Sequence, residues 1–196
     1  MGFAVSRGAR GAIASVAVCV LLSPAVARAG VVDELNAAVM SHDTSDLGRG
    51  KESHSADIQF EVDTIRPRAL KFLGSPRLNA IVAVNTAGLT NFAAAGFTWD
   101  WPLWKRWRGK IDFGLSVNDG VVSAPPGPAG QMVREHRLLL GSKVLFREAA
   151  TVEWRFGKKW GLEAQFEHLS NGGILGSNHN NQGINDAGLA LAYHFN

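Results

Sequence analysis

Cysteine is almost absent from this chain of 196 residues. The only one, Cys19, sits in an apolar stretch near the N-terminus. The residues before it, Val16-Ala17-Val18, are a poor match to a lipoprotein cleavage site. Tyrosine is equally scarce, with one copy against six tryptophans and ten phenylalanines. A charge of one sign is missing too. The formal +3 comes from Arg7, Arg10 and Arg28, and beyond residue 29 there are 17 basic and 17 acidic side chains. A neutral chain does not carry the electrostatic footprint of a nucleic-acid binder. Long hydrophobic runs are missing as well. No stretch of 18 apolar residues follows residue 29, so a helical membrane span is excluded.

What stands at the N-terminus reads as an export signal. Arg7 and Arg10 form a basic start, Ala12 to Leu22 is an apolar run too short to span a bilayer, and Ala27-Arg28-Ala29 is an A-x-A cleavage site. The expectation is a leader over residues 1–29 and a mature domain over 30–196. The alternative is a short membrane anchor. An exported chain whose mature part lacks cysteine forms no disulfides. That suits a bacterial envelope protein stabilised by its core or by lipid.

The mature chain alternates with period two again and again. Ile58, Phe60 and Val62 alternate with Asp57, Gln59, Glu61 and Asp63. Ile111, Phe113, Leu115 and Val117 alternate with Lys110, Asp112 and Ser116. Leu162, Ala164 and Phe166 alternate with Glu163, Gln165 and Glu167. Similar patterns run through 78–84, 93–101 and 189–195. Period two puts the two sets on opposite faces of a strand. The apolar sets carry aromatics near strand ends (Trp99, Trp101, Trp107, Trp154, Tyr193), and the polar sets carry charges of both signs. This predicts an all-β, eight-stranded, antiparallel up-and-down transmembrane β-barrel with lipid outside and ion pairs inside. A soluble sandwich or lipocalin-like barrel is the alternative.

Eight strands result if 32–42 is a strand rather than a short amphipathic helix, and if 138–156 is one strand rather than two joined at Arg147-Glu148. Residues 43–54, 119–137 and 171–183, with a short connection at 88–90, then form the external loops. Residues 66–75, 102–106 and 157–159 become the periplasmic turns, as outer-membrane barrels require. The end of the chain, Leu189-x-Leu191-x-Tyr193-x-Phe195, resembles the terminal aromatic signature read by the barrel-insertion machinery, with the phenylalanine one residue short of the terminus.

Candidate chemistry lies in 167–185. His168 and Ser170 are two apart on one strand, so they share a face, as a base and its nucleophile must. That face is the one of Leu162, Ala164 and Phe166, which looks at lipid. Two polar side chains there serve no packing purpose and cost several kcal/mol unless satisfied. The alternative is a polar rim at the strand end, with Ser170-Asn171-Gly172-Gly173 as loop punctuation. His179 reads as a solvated loop residue.

His168-x-Ser170-Asn171-x-Gly173, followed by Asn181-x-Gly183, resembles the lipid A 3-O-deacylase (PagL) family, also described as acyloxyacyl hydrolases. Asn85-Thr86-Ala87-Gly88 and Val144-Leu145-Phe146-Arg147-Glu148 add weaker likeness. The resemblance implies an outer-membrane esterase that removes the 3-O-linked hydroxyacyl chain of lipid A without a cofactor or metal. It implies Ser170 as nucleophile, His168 as general base, and Asn171, Gly173 and Asn181 at the oxyanion-binding positions. Its partners would be lipopolysaccharide and outer-membrane lipid, with no nucleic acid and with a homodimer left open. The chain departs from the family's acidic triad member, having Asn185 at that place. Asn185 shares the outward parity, whereas Asp186 and Glu167 have inward parity. A different lipid-modifying barrel, such as an acyltransferase, and a non-catalytic barrel with a structural or ligand-binding role are the other classes.

Overall fold

The structure is a computed structural model, and it describes residues 30–44 and 50–195. The expected leader lies outside the described residues. Eight strands follow one another along the chain: β1 (Val32–Ser41), β2 (Ala56–Thr64), β3 (Arg77–Asn85), β4 (Phe92–Trp104), β5 (Trp107–Asn118), β6 (Val144–Arg155), β7 (Trp160–Ser170) and β8 (Ile184–His194). Each pairs antiparallel with its neighbours in sequence. β1 also pairs with β8, Leu35 opposite Tyr193 and Val39 opposite Leu189, so the barrel closes. Closure leaves no unpaired strand edge, which hydrocarbon would not tolerate.

The 32–42 segment is therefore a strand, hydrogen-bonded on both sides. Strand β6 begins at Val144 rather than at residue 138. Gly141, with φ of 70°, takes the chain out of extended geometry, and Leu140 donates its N–H to Val121 O instead of joining a neighbouring strand. Leu138 and Leu140 share the sequence parity of Val144 and Phe146, yet they are buried, whereas Val144 is exposed. They pack with Ile81, Phe92, Leu145, Leu169 and Ile184 in an apolar plug. The plug lies at the end of the barrel that carries the connections 42–55, 86–91, 119–143 and 171–183. The 119–143 connection carries helix α1 (Pro128–His136). The opposite end has the tight turns 105–106 and 156–159, and 65–76 with a 3-10 turn at Arg68–Leu73.

Below the plug the interior is polar. Arg147 Nε donates to Glu167 at 2.7 Å, Arg77 to Glu34 at 2.6 Å, and Lys110 bridges Glu34 and Glu163. These charges are nearly fully buried. Buried charge is tolerated only when paired and hydrogen-bonded, which explains why both signs interleave on the inner parity. The outer face is apolar: Ile58, Phe60, Phe113, Leu115, Phe166, Leu189 and Leu191 are all exposed. Trp101, Trp104, Trp107, Trp154 and Trp160 ring the short-turn end, and Trp160 packs edge-on against Tyr193 with ring centroids 4.9 Å apart. Apolar walls with an aromatic girdle identify the outside as the lipid face.

Candidate active site

The long-loop end of β7 presents His168 and Ser170 side by side on the outer face, both partly exposed. They are the last outward positions before the chain turns. Antiparallel register gives each its neighbours. His168 lies opposite Asn185 on β8 and Glu148 on β6, and Ser170 lies opposite Phe146.

His168 Nδ1 is 2.7 Å from Asn185 Oδ1. An amide oxygen only accepts, so Nδ1 carries the proton and Nε2 is left as the basic nitrogen. Two further contacts hold this pair. Gly183, with φ of 69°, lies against the imidazole, and a Cβ there would come within 3.1 Å of His168 Cε1 and 3.2 Å of Leu169 O. From the other end of the chain, Thr44 donates both its N–H (2.6 Å) and its hydroxyl (3.0 Å) to Asn185 O. Asp43 N–H donates to Asp186 Oδ1 at 2.9 Å. The start of the first long connection thus straps β8 at the level of Asn185.

Asn171, Gly173 and Asn181 come together in the turn that follows Ser170. Asn171 is fully buried. Its side-chain NH2 donates to Leu140 O at 3.0 Å and Ser177 O at 3.2 Å, and its Oδ1 accepts from Gly173 N–H at 2.8 Å. Its backbone N–H donates to Asn181 Oδ1 at 2.9 Å. The Asn171 side chain is therefore spent on holding the turn. Asn181 is tied by its oxygen to the backbone of the residue that follows Ser170. Gly172 and Gly173 both have positive φ, 59° and 73°. This is the backbone conformation that lets the chain reverse immediately after Ser170. His179 is exposed in a short 3-10 turn, as read from the sequence.

The two acids considered from the sequence lie inside the barrel. Glu167 is held by Arg147, and Asp186 by Asp43 N–H, with His42 Nδ1 3.5 Å away. The sheet separates both from His168. Asn185 alone of the three shares the outer face with it. A residue whose place beside the histidine the sequence reading missed is Glu148. It is exposed on β6, and among the described residues it is the one carboxylate at the outward positions of β5–β8. Its outward parity was legible. Its adjacency to His168 depends on the β6–β7 register.

Just inside the barrel end, His42 bonds Asp57 through Nδ1 at 2.8 Å and Glu52 through Nε2 at 3.2 Å, all fully buried. Burial opposes charge on His42, but the bonds to Asp57 and Glu52 outweigh it and push the pKa up to about 10. Glu52 moves the other way. Burial alone would raise it, but hydrogen bonds from His42 and Arg137 bring it down to about 2. His42, Asp57 and Asp186 also have ligand atoms within 4.8 Å of one another, as a metal would need. Both ring nitrogens of His42 are already engaged by carboxylates, Nδ1 by Asp57 and Nε2 by Glu52.

The outer surface beside the site is shaped for hydrocarbon. Phe113 and Phe146 stack with centroids 6.0 Å apart, and the Phe146 ring lies against Gly172, where a Cβ would approach it to 3.0 Å. One outward step from His168, Phe166 borders a groove of about 440 Å³ floored by Gly109, Ala150, Val152 and Ala164 and walled by Trp101 and Leu103.

A closed eight-stranded barrel with a lipid face and polar chemistry turned toward that face defines a class, the small outer-membrane barrels. The model of the lipid A 3-O-deacylase (PagL) family matches residues 93–194, just over half of the chain. The chain belongs to that family of lipid A deacylases, and its place is the bacterial outer membrane. Among solved structures, the crystal structure of the outer membrane enzyme PagL is 14% identical, with a TM-score of 0.53 over 81% of this chain and 97% of that one. Neisserial surface protein A is 11% identical, with a TM-score of 0.51 over 85% and 97%. A de novo designed transmembrane β-barrel is 10% identical, with a TM-score of 0.50 over 84% and 94%. At such identities the likeness is one of fold. No curated protein matches the chain.

Proposed function

We propose that this barrel hydrolyses the ester that carries the 3-O-linked hydroxyacyl chain of lipid A, with Ser170 as nucleophile and His168 as general base. The observation that carries the reading is the Asn185–His168 hydrogen bond on the lipid face, with Ser170 the next outward residue. That bond leaves Nε2 basic. Nε2 takes the Ser170 hydroxyl proton as Oγ attacks the ester carbon, and the carbonyl electrons move to oxygen. The Asn181 NH2 and the Gly172 backbone N–H serve as donors to the resulting oxyanion, the Gly173 N–H being given to Asn171 Oδ1. Collapse expels the sugar oxygen, which takes the proton back from Nε2. Water then releases the acyl group from Ser170 by the same route. The location supports this substrate. The site sits at the long-loop, external end of the barrel, where lipid A occupies the outer leaflet, and the groove beside Phe166 suits an acyl chain.

Purified protein incubated with lipid A in detergent should release one hydroxyacyl chain, seen as a mass loss. Ser170→Ala and His168→Ala should each reduce the rate by at least ~10³-fold while the barrel still shows heat-modifiable migration. Wild-type rates in either variant would overturn the assignment.

A further inference from the structure

In an acid–base–nucleophile site the carboxylate has two tasks, fixing the tautomer of the imidazole and stabilising its positive charge. Asn185 performs the first and, being neutral, not the second. We infer that the second task falls to Glu148, which acts on His168 through space from β6 while Asn185 holds the ring from β8. The inference rests on the Ser170–His168 reading above.

Four observations carry it. Glu148 is the direct cross-strand partner of His168 on the outer face, and opposed side chains have Cβ atoms about 4.5–5.5 Å apart. Its own surroundings are apolar: it lies opposite Phe113 on β5, with Phe146 and Ala150 two residues away along β6. Among the described residues it makes no hydrogen bond or ion pair, and a lipid-facing carboxylate without a partner is destabilising. A barrel that only had to be stable would carry an apolar residue there. Finally, the other carboxylates near it among the described residues are committed elsewhere, since Glu167 and Asp186 face inward and are bonded to Arg147 and to Asp43 N–H.

Among the described residues, the charged and titratable surroundings of His168 are few. β6 contributes Glu148. β8 contributes the neutral Asn185, and Gly183 lies against the ring. His179 is exposed further along the same connection, and Arg147, Glu167 and Asp186 lie across the sheet. When Nε2 takes the Ser170 proton, Glu148 is therefore the one negative charge among the described residues on the same side of the sheet. At the boundary of headgroup and hydrocarbon, where water screens poorly, such a charge acts strongly over a few ångströms.

The test uses the full barrel in detergent with lipid A as substrate, with Ser170→Ala as the control. Glu148→Gln should lower kcat roughly ten- to hundredfold and leave KM nearly unchanged. It should slow covalent labelling of Ser170 by a fluorophosphonate in the same proportion. Glu148→Asp should keep much of the rate. Adding Asn185→Asp or Asn185→Glu to Glu148→Gln should restore activity by delivering the carboxylate from β8. A wild-type kcat in Glu148→Gln alongside an inactive Ser170→Ala would overturn this inference and leave the esterase reading standing. An active Ser170→Ala would overturn the reading beneath it. A rise in KM alone, or no rescue from position 185, would assign Glu148 to substrate contact or to the surface and overturn the charge role.

Discussion

His168 and Asn185 meet across β7 and β8 with Nδ1 and Oδ1 2.7 Å apart, and that single bond decides which imidazole nitrogen is basic. The relationship makes the amide the tautomer-fixing member of the site. Asn185→Ala should lower kcat by about tenfold or more, because the ring is left free to turn. Asn185→Asp should keep or raise the rate, since a carboxylate accepts the same hydrogen bond and adds charge. Initial rates on one lipid A substrate check both. A silent Asn185→Ala would show that something else holds the ring.

Gly183 makes a sharper test of ring placement. Its φ of 69° disfavours any side chain, and a Cβ would press on His168 Cε1 at 3.1 Å. Gly183→Ala should strain the turn by about 1 kcal/mol and displace the imidazole by a few tenths of an ångström. The expected outcome is a clear loss of kcat with little change in barrel migration. The comparison Gly157→Ala, where a Cβ meets nothing, should leave the rate unchanged.

The His42 cluster predicts a pH dependence of stability. His42 is raised from its ordinary 6.5 to about 10. Its contribution is therefore complete below pH 6.5 and disappears as pH rises through about 10. Glu52 is lowered from 4.5 to about 2, so its share is complete above pH 4.5 and disappears as pH falls through about 2. Urea midpoints followed by heat-modifiable migration should fall between neutral pH and pH 11 in the wild type. His42→Gln should start lower and vary less over that range. Identical slopes for the two proteins would sink the prediction.

Alternation along the chain made much of the barrel legible. A side chain's face follows from its parity alone, so the inward Glu167 and Asp186 and the outward His168, Ser170 and Asn185 could be sorted from the sequence. The same rule misled at Leu138 and Leu140. Parity carried on across Gly141, but the backbone did not, and the two leucines became part of the plug. Ion pairing inside the barrel was legible only as composition. That Arg147 meets Glu167 and Arg77 meets Glu34 depends on how the strands wrap.

The sequence by itself determined most of the strands, their lipid and interior faces, the end of the barrel that carries the long connections, and the shared face of His168 and Ser170. All of these follow from local periodicity and from which residues terminate a strand. The strand state of 32–42 and the start of β6 at Val144 came from the structure. Only the tertiary structure decided who stands beside whom. Register across β6, β7 and β8 puts Glu148 on one side of His168 and Asn185 on the other. Closure of β1 onto β8 brings Asp43 and Thr44 to Asp186 and Asn185, more than 140 residues away along the chain. Neighbours across a sheet are set by the hydrogen-bond ladder and the closure of the barrel, and neither leaves a trace in the spacing of residues along a single strand.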